Sequence, residues 1–247
     1  MNWQADHYKY ELTHWWFKSR RDILSIFLNK MNIDNKKSII EFGCGTGGNL
    51  KYLFKDFNKI TGVELDSFSF ETAKLSCSSS EILKLDLNDL SSINNEYQLV
   101  AILDVLYHEN IKNPKLILDQ ANKLNSKSGY ILVCEPAFKF LRGNHSKYVD
   151  EKRRFKKREL EKIITDSNYE IVFSSYWGTV IFIILYIKRR LIEPFFIRKK
   201  NSKKSDFSKY PIFNQIFYYL MLVENRLNNY LKFPFGSSII ILAKKIN

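Results

Sequence analysis

The sequence predicts a single α/β domain built on an open, doubly wound, mostly parallel sheet, and three observations carry that prediction. The first is the stretch Ser38-Ile39-Ile40-Glu41-Phe42-Gly43-Cys44-Gly45-Thr46-Gly47-Gly48-Asn49-Leu50, which reads as a short buried strand, a glycine turn and the start of a helix. The second is that five short apolar runs alternate with helical stretches between residues 38 and 135. The third is what marks the end of each run: Gly43, Glu64, Asp86, Asp104 and Glu135 in turn. In such sheets ligands sit at the carboxyl ends of the strands.

Residues 1–35 suit a helical lid. Glu11, His14, Trp15, Trp16, Phe17, Arg20 and Arg21 precede Ile23, Leu24, Ile26, Phe27 and Leu28 at amphipathic spacing. Two adjacent tryptophans cannot face one core, so one either staples the sheet edge or covers a ligand. Residues 36–176 form the cofactor-binding core. Ile39–Phe42 is strand one, and Asn49–Phe54 continues the first helix. Gly43, Gly45 and Gly47 stand where a β-carbon would block a tight turn or a ligand's approach. The amides of the next helix start favour a polar or anionic group.

Lys59–Leu65 is strand two. Its Glu64 lies 21 residues after Gly43, where a carboxylate suits bonds to two ribose hydroxyls. Asp66 suits the cap of a helix over Ser67–Ser76. Ile82–Leu85 is strand three, ending at Asp86, which can accept from an adenine amino group with Leu87 beside it; Asp89 reads as a turn residue. Tyr97–Leu103 is a central strand, followed by Asp104-Val105-Leu106-Tyr107-His108-Glu109. Pro114–Leu124 is a helix with proline in its first turn, and Gly129–Cys134 is strand five, ending in Glu135-Pro136. A helix over Glu159–Asp166 precedes strands at Tyr169–Tyr176 and Ser238–Lys244.

Residues 177–235 form an insertion before the last strand, residues 236–247. About sixty residues lie where a short loop would suffice. Val180–Ile187 is strongly apolar, Lys188, Arg189, Arg190, Arg198, Lys199, Lys200, Lys203 and Lys204 follow, and Ile212–Leu231 is a second helical stretch. Apolar helices bordered by basic clusters suit an anionic membrane surface, a homodimer interface or a cap over the site. Nucleic acid is less favoured, because the basic residues border aliphatic helices without interleaved aromatics for stacking.

The chain has 247 residues, 45% hydrophobic and 26% charged, enough for one full core. Cys44, Cys77 and Cys134 are scattered, which argues against a disulfide framework or a zinc site. No carboxylate cluster suits a catalytic magnesium. The first residues do not read as a secretion signal, and Thr179–Ile187 is too short to span a bilayer. These features suit a cytoplasmic protein, soluble or peripheral at the inner membrane face. The net charge of +13 points to an anionic partner or to a lysine-rich genome.

The Glu-x-Gly-x-Gly-x-Gly pattern over residues 41–47 resembles motif I of the class I S-adenosylmethionine (SAM) methyltransferases. His14-Trp15-Trp16-Phe17 with Arg20-Arg21 resembles the N-terminal helix of one bacterial subgroup, and Asp104-Val105-Leu106-Tyr107-His108 its Asp-Val-Leu-Glu-His motif. Pro136-Ala137 through Arg153-Arg154-Phe155 and Pro234-Phe235-Gly236-Ser237-Ser238 resemble later segments. The likeness implies a Rossmann-like seven-stranded sheet with an antiparallel last strand. It also implies SAM contacts at Arg20, Glu41, Gly43, Cys44, Gly45, Gly47, Glu64, Leu65, Asp86, Leu87 and Asp104, and S-adenosylhomocysteine as product. Glu41 and Glu64 stand for the family's aspartates and Tyr107 for its glutamate, while Ser146 and Glu151 replace residues of its acceptor loop.

Methyl transfer from a sulfonium is an in-line displacement dominated by alignment, and an oxygen or protonated amine acceptor also needs a base. His108 is the first candidate base, with His145 and Glu135 behind it; each histidine could instead order a loop. Trp16 and Tyr107 suit the acceptor's surroundings, and Arg153 and Arg154 suit a clamp on its phosphate or carboxylate, or else a solvated basic turn. The chain lacks the Asn/Asp-Pro-Pro-aromatic motif of DNA amino methylases and any Pro-Cys for C5 chemistry, so DNA is not expected. The expected reaction is methylation of an O or N atom of a small or lipid-linked acceptor, of saccharide or isoprenoid type. The alternatives are methylation of RNA or peptide, and a non-catalytic SAM-binding or membrane-associated partner subunit.

Overall fold

The computed structural model describes residues 8–31, 37–192, 211–228 and 230–246. The basic run from Arg198 to Lys204 lies outside the described residues. A helical turn at residues 8–11 leads to α1 (Trp15–Asn29). Then come β1 (Ser38–Phe42), α2 (Gly48–Tyr52), β2 (Lys59–Val63), α3 (Ser67–Ser76), β3 (Glu81–Leu83) and β4 (Tyr97–Leu103). α4 (Pro114–Leu124), β5 (Asn125–Pro136), α5 (Asn144–Tyr148), α6 (Lys157–Thr165) and β6 (Tyr169–Trp177) follow. α7 (Thr179–Tyr186), α8 (Pro211–Asn228) and β7 (Ser238–Lys245) close the chain.

The seven strands lie in the order β3-β2-β1-β4-β5-β7-β6. β1 pairs in parallel with β2 and β4, and the order reverses between those pairings. β7 is antiparallel to both β5 and β6. This is the expected seven-stranded α/β sheet with its antiparallel last strand, and α7 and α8 stand between strands six and seven.

Two apolar layers cover the sheet, because successive side chains of a strand point to opposite faces. Ile40 and Phe42 of β1 join α4 and α6 on one face through Ile117, Leu118, Leu160 and Ile164. Ile39 joins the other face, where Ile23, Leu24 and Phe27 of α1 pack with Met221 of α8. α1 is therefore core as much as lid.

Boundaries move where polar residues pair. β3 begins at Glu81 and stops at Leu83, two residues short of the expected end, since only these residues pair with β2. β5 begins at Asn125, before its apolar run. The reason is buried Asn125, whose Nδ2 donates to the carbonyls of Tyr97 (3.0 Å) and Tyr130 (3.1 Å). Asp66 caps α3 as expected, accepting from the Ser69 amide at 2.9 Å.

Candidate active site

A cavity of about 780 Å³ opens at the carboxyl ends of β1, β2 and β4. Its volume is within the range of roughly 300–1,000 Å³ usual for ligand sites. Fourteen of the eighteen residues singled out from the sequence reach its wall: Trp16, Arg20, Gly43, Cys44, Gly45, Glu64, Leu65, Asp86, Leu87, Asp104, Tyr107, His108, His145 and Arg154. Glu41, Gly47, Glu135 and Arg153 are not part of that wall.

One half of the cavity is built from backbone. Gly43, Gly45 and Gly47 all have positive φ, a conformation that costs a side-chain-bearing residue about 1–2 kcal/mol. A β-carbon on Gly43 would lie 2.7 Å from Val105 Cγ2, whereas one on Gly45 would meet nothing within 4 Å and would enter the open cavity. Glu64 stands across the turn and accepts from the amides of Gly45 (2.8 Å), Leu65 (2.9 Å) and Asp66 (2.8 Å). Burial raises its pKa, and those three amides oppose the rise. Asp86 is exposed at the rim and accepts from the Asn88 amide at 2.8 Å.

Glu41 lies beneath this turn, fully buried, and accepts from Asn49 Nδ2 at 2.7 Å. Burial pushes its pKa up to about 8. It braces the turn from below. Glu11, a lid residue with no role expected in the site, reaches it as well. Its buried carboxylate accepts from Thr46 Oγ1 at 2.6 Å, and any side chain on Gly48 would collide with it. The glycine pair Gly47-Gly48 was the available signal, because Gly48 sits in an ordinary helical turn with no positive φ to require it.

The other half is built from side chains of distant segments. Arg20 of α1, buried, pairs with half-buried Asp104 after β4, and both line the cavity wall. Asp104 holds φ at +59°, a strained conformation for a non-glycine residue. Burial raises its carboxyl pKa while Arg20 pulls it down. His14 caps α1, its Nδ1 accepting from the Trp16 amide at 3.2 Å. Burial, and then the charge of His145, pull its pKa down to about 4, so the ring is neutral at pH 7. Both tryptophans reach the cavity: Trp15 packs on Phe217 of α8 (5.3 Å between centroids) and Trp16 on Trp177 (4.7 Å).

Two expected roles meet a different geometry. Glu135 is fully buried, and its carboxylate accepts from the amides of Val105 (3.0 Å), Leu106 (2.7 Å) and Tyr107 (3.1 Å). It holds the loop after β4, and the lone pairs that a base would use face those amides. Arg153 donates to the carbonyls of Leu106 (2.9 Å) and Ile111 (2.8 Å), so its guanidinium is committed to the same loop. Arg154 does line the cavity, but it forms a two-pronged pair with Glu151 (2.9 and 2.8 Å) and reaches Ser146 Oγ at 3.3 Å. Ser146 and Glu151 thus join one network with Arg154.

His108 Nδ1 accepts from the Asn110 amide at 3.2 Å. A neutral ring bonded in this way carries its proton on Nε2. Burial lowers its pKa. Ile181, Ile184 and Leu185 of α7 and Phe217 of α8 roof this half. Glu224 of α8 fixes the roof, accepting from the amides of Gly178 (2.7 Å), Thr179 (2.9 Å) and Val180 (3.2 Å) at the start of α7.

The glycine turn, the carboxylate after β2 and the rim acid after β3 share one cavity with the roofed chamber. The profile of a family described as "Methyltransferase domain" matches residues 7–173, and the chain belongs to that family of enzymes, whose domains use SAM. No curated protein sequence matches. Among solved structures, the fold is similar to the putative methyltransferase in a complex with the Trm112 methyltransferase activator from Haloferax volcanii. Identity there is 14%, the TM-score is 0.64, and 99% of this chain and 95% of that one are covered. The plantazolicin methyltransferase BpumL in complex with SAH is similar at 15% identity and TM-score 0.62, over 99% and 89% of the two chains. A SAM-dependent methyltransferase from Clostridium acetobutylicum is similar at 12% and 0.60, over 93% and 92%.

The residues present fit SAM. Gly45 leaves open space beside the turn, Glu64 offers acceptors next to it, and the buried Nε of Arg20 has no hydrogen-bond partner among the described residues.

Proposed function

We propose that this chain transfers a methyl group from SAM to an O or N atom of an acceptor, small or lipid-linked, held under α7 and α8. The observation that carries the proposal is the division of one cavity into a glycine-turn half and a roofed half that meet at Asp104. SAM, when bound, supplies an electrophilic methyl on a sulfonium. Gly43, Gly45 and Leu65 would leave room for it, Glu64 would accept from the ribose hydroxyls, Asp86 and Leu87 would hold the adenine, and Arg20 would offer its Nε–H to the carboxylate end.

The acceptor lies between Asp104, Tyr107 and the two histidines. His145 of α5 is the general base. His108, with Nδ1 engaged and its proton on Nε2, donates a hydrogen bond and orients the acceptor. The Tyr107 phenol, whose pKa burial and neighbouring carboxylates raise, stays neutral and can also donate. Trp16 and the aliphatic roof exclude water, which favours an acceptor with an apolar part such as an isoprenoid or acyl chain.

The test is methyl transfer from radiolabelled SAM into lipid and polar extracts. His145→Gln should cut product formation on the order of a hundredfold while leaving SAM affinity within about twofold. Unchanged turnover in His145→Gln, or product only in the RNA or peptide fraction, would overturn the assignment.

A further inference from the structure

α8 is an amphipathic helix turned inside out. Its buried face carries Glu224, Asn225 and Asn228, with Met221 the one buried hydrophobic residue among the described side chains. Asn225 accepts from Trp177 Nε1 at 2.7 Å and donates to the Ser19 carbonyl at 2.9 Å, so polar bonds attach this face to the domain. The outer face carries Phe213, Ile216, Leu220, Val223 and Leu227, each 43–57% exposed, spaced three and four residues apart on one stripe. α7, packed beside it, exposes Ile183 and Tyr186, and Ile187 just beyond its end is exposed too. Ordinary burial would reverse this arrangement, and an exposed apolar surface of this kind marks an interaction site.

Charge selects the partner. Neither helix exposes an acidic side chain, since Glu224 is their one acid and is buried. Lys188 and Arg190 stand exposed just beyond α7, Arg226 is exposed on α8, and Lys232 follows it. A second copy would bring two basic rims together, whereas an anionic lipid surface complements both the apolar stripe and its rim.

We infer that the outer face of α7 and α8 docks on an anionic membrane surface, and that the acceptor enters the cavity from that side. Ile184 and Lys188 both line the cavity and stand exposed, so the roofed half opens beside the apolar face. Leu65 and Asp86, on the wall of the glycine-turn half, are exposed as well. The entry route rests on the methyltransferase reading of the cavity; the docking does not. No described helix is long and apolar enough to cross a membrane, and a helix lying in the interface does not need to be.

The experiment is flotation of the full chain with phosphatidylglycerol vesicles and with phosphatidylcholine vesicles, alongside sedimentation without lipid and calorimetry with SAM. Ile216 and Val223 touch neither the cavity nor the core. The wild-type chain should float with phosphatidylglycerol and not with phosphatidylcholine. The Ile216→Glu/Val223→Glu double variant should lose on the order of a hundredfold in partitioning while binding SAM like the wild type. Binding should also weaken at roughly 1 M salt, where the screening length falls to about 3 Å. Failure of the wild type to float overturns the inference, as does a lipid-free dimer that the double variant dissolves, which would assign the face to a second copy. Flotation without SAM binding would keep the docking and sink the methyltransferase reading.

Discussion

The two halves of the cavity are made by different means. At the glycine-turn half, backbone at strand ends does most of the work: three positive-φ glycines and three amides gathered by Glu64. The acceptor half is a meeting of side chains from α1, the loop after β4, α5, α7 and α8, and its central pair joins residues 84 positions apart. A site made of strand ends is fixed by the sheet and leaves a local imprint on the sequence. A site made of long-range pairs changes with any one partner, which is how acceptors diverge on a constant cofactor platform.

That contrast breaks first at Glu135, if it breaks. Glu135→Ala would leave three buried amides without their acceptor, and the fold should lose about 3 kcal/mol or more in urea unfolding, with Glu135→Gln recovering part of it. Normal stability with lost turnover would instead return Glu135 to the chemistry. Next comes Glu64→Ala, which should weaken SAM binding by a few kcal/mol through lost charge-assisted hydrogen bonds. Unchanged affinity in calorimetry would remove the ribose role.

The glycine turn itself separates packing from binding. Gly43→Ala meets Val105 as well as a positive φ and should cost about 2 kcal/mol of stability. Gly45→Ala meets open space, so its loss should be nearer 1 kcal/mol while SAM affinity falls sharply. Equal loss of binding without any difference in unfolding would show that the two positions are not distinct.

The pH dependence of stability has opposite signs at Glu41 and at His14. Glu41 keeps its proton in the fold up to about 8, against 4.5 ordinarily. Its contribution to stability is complete below 4.5 and is lost as pH rises through 8. His14 has its pKa pulled from 6.5 to about 4, so its contribution is complete above 6.5 and is lost as pH falls through 4. Glu41→Gln should flatten the alkaline fall of the urea midpoint, and His14→Asn, which keeps a capping oxygen, the acid fall. Slopes identical to wild type in both variants would contradict these environments.

The sheet was legible because each strand is a short apolar run with its own punctuation. Tyr97–Leu103 and Ser67–Ser76 match the structure residue for residue. β3 and β5 differed because pairing with a neighbour, rather than hydrophobicity, set their ends. Gly45, Glu64 and Asp86 could be read from spacing. Glu11 left only the indirect trace of Gly48, a helical glycine whose β-carbon would strike its carboxylate, because its partner Thr46 is 35 residues away. Distance also hides the Arg153 bonds to Leu106 and Ile111, which only the fold brings together. The inverted polarity of α8 was visible as an apolar stretch, but which face points outward depends on Glu224 reaching the start of α7.

The most direct measurement is calorimetric titration of the full chain with SAM and with S-adenosylhomocysteine, repeated on Glu64→Ala. Both ligands should bind one site, and the variant should lose on the order of a hundredfold in affinity for each. Absence of binding by the wild-type chain would contradict the cofactor assignment, and with it the division of the cavity on which the proposed reaction depends.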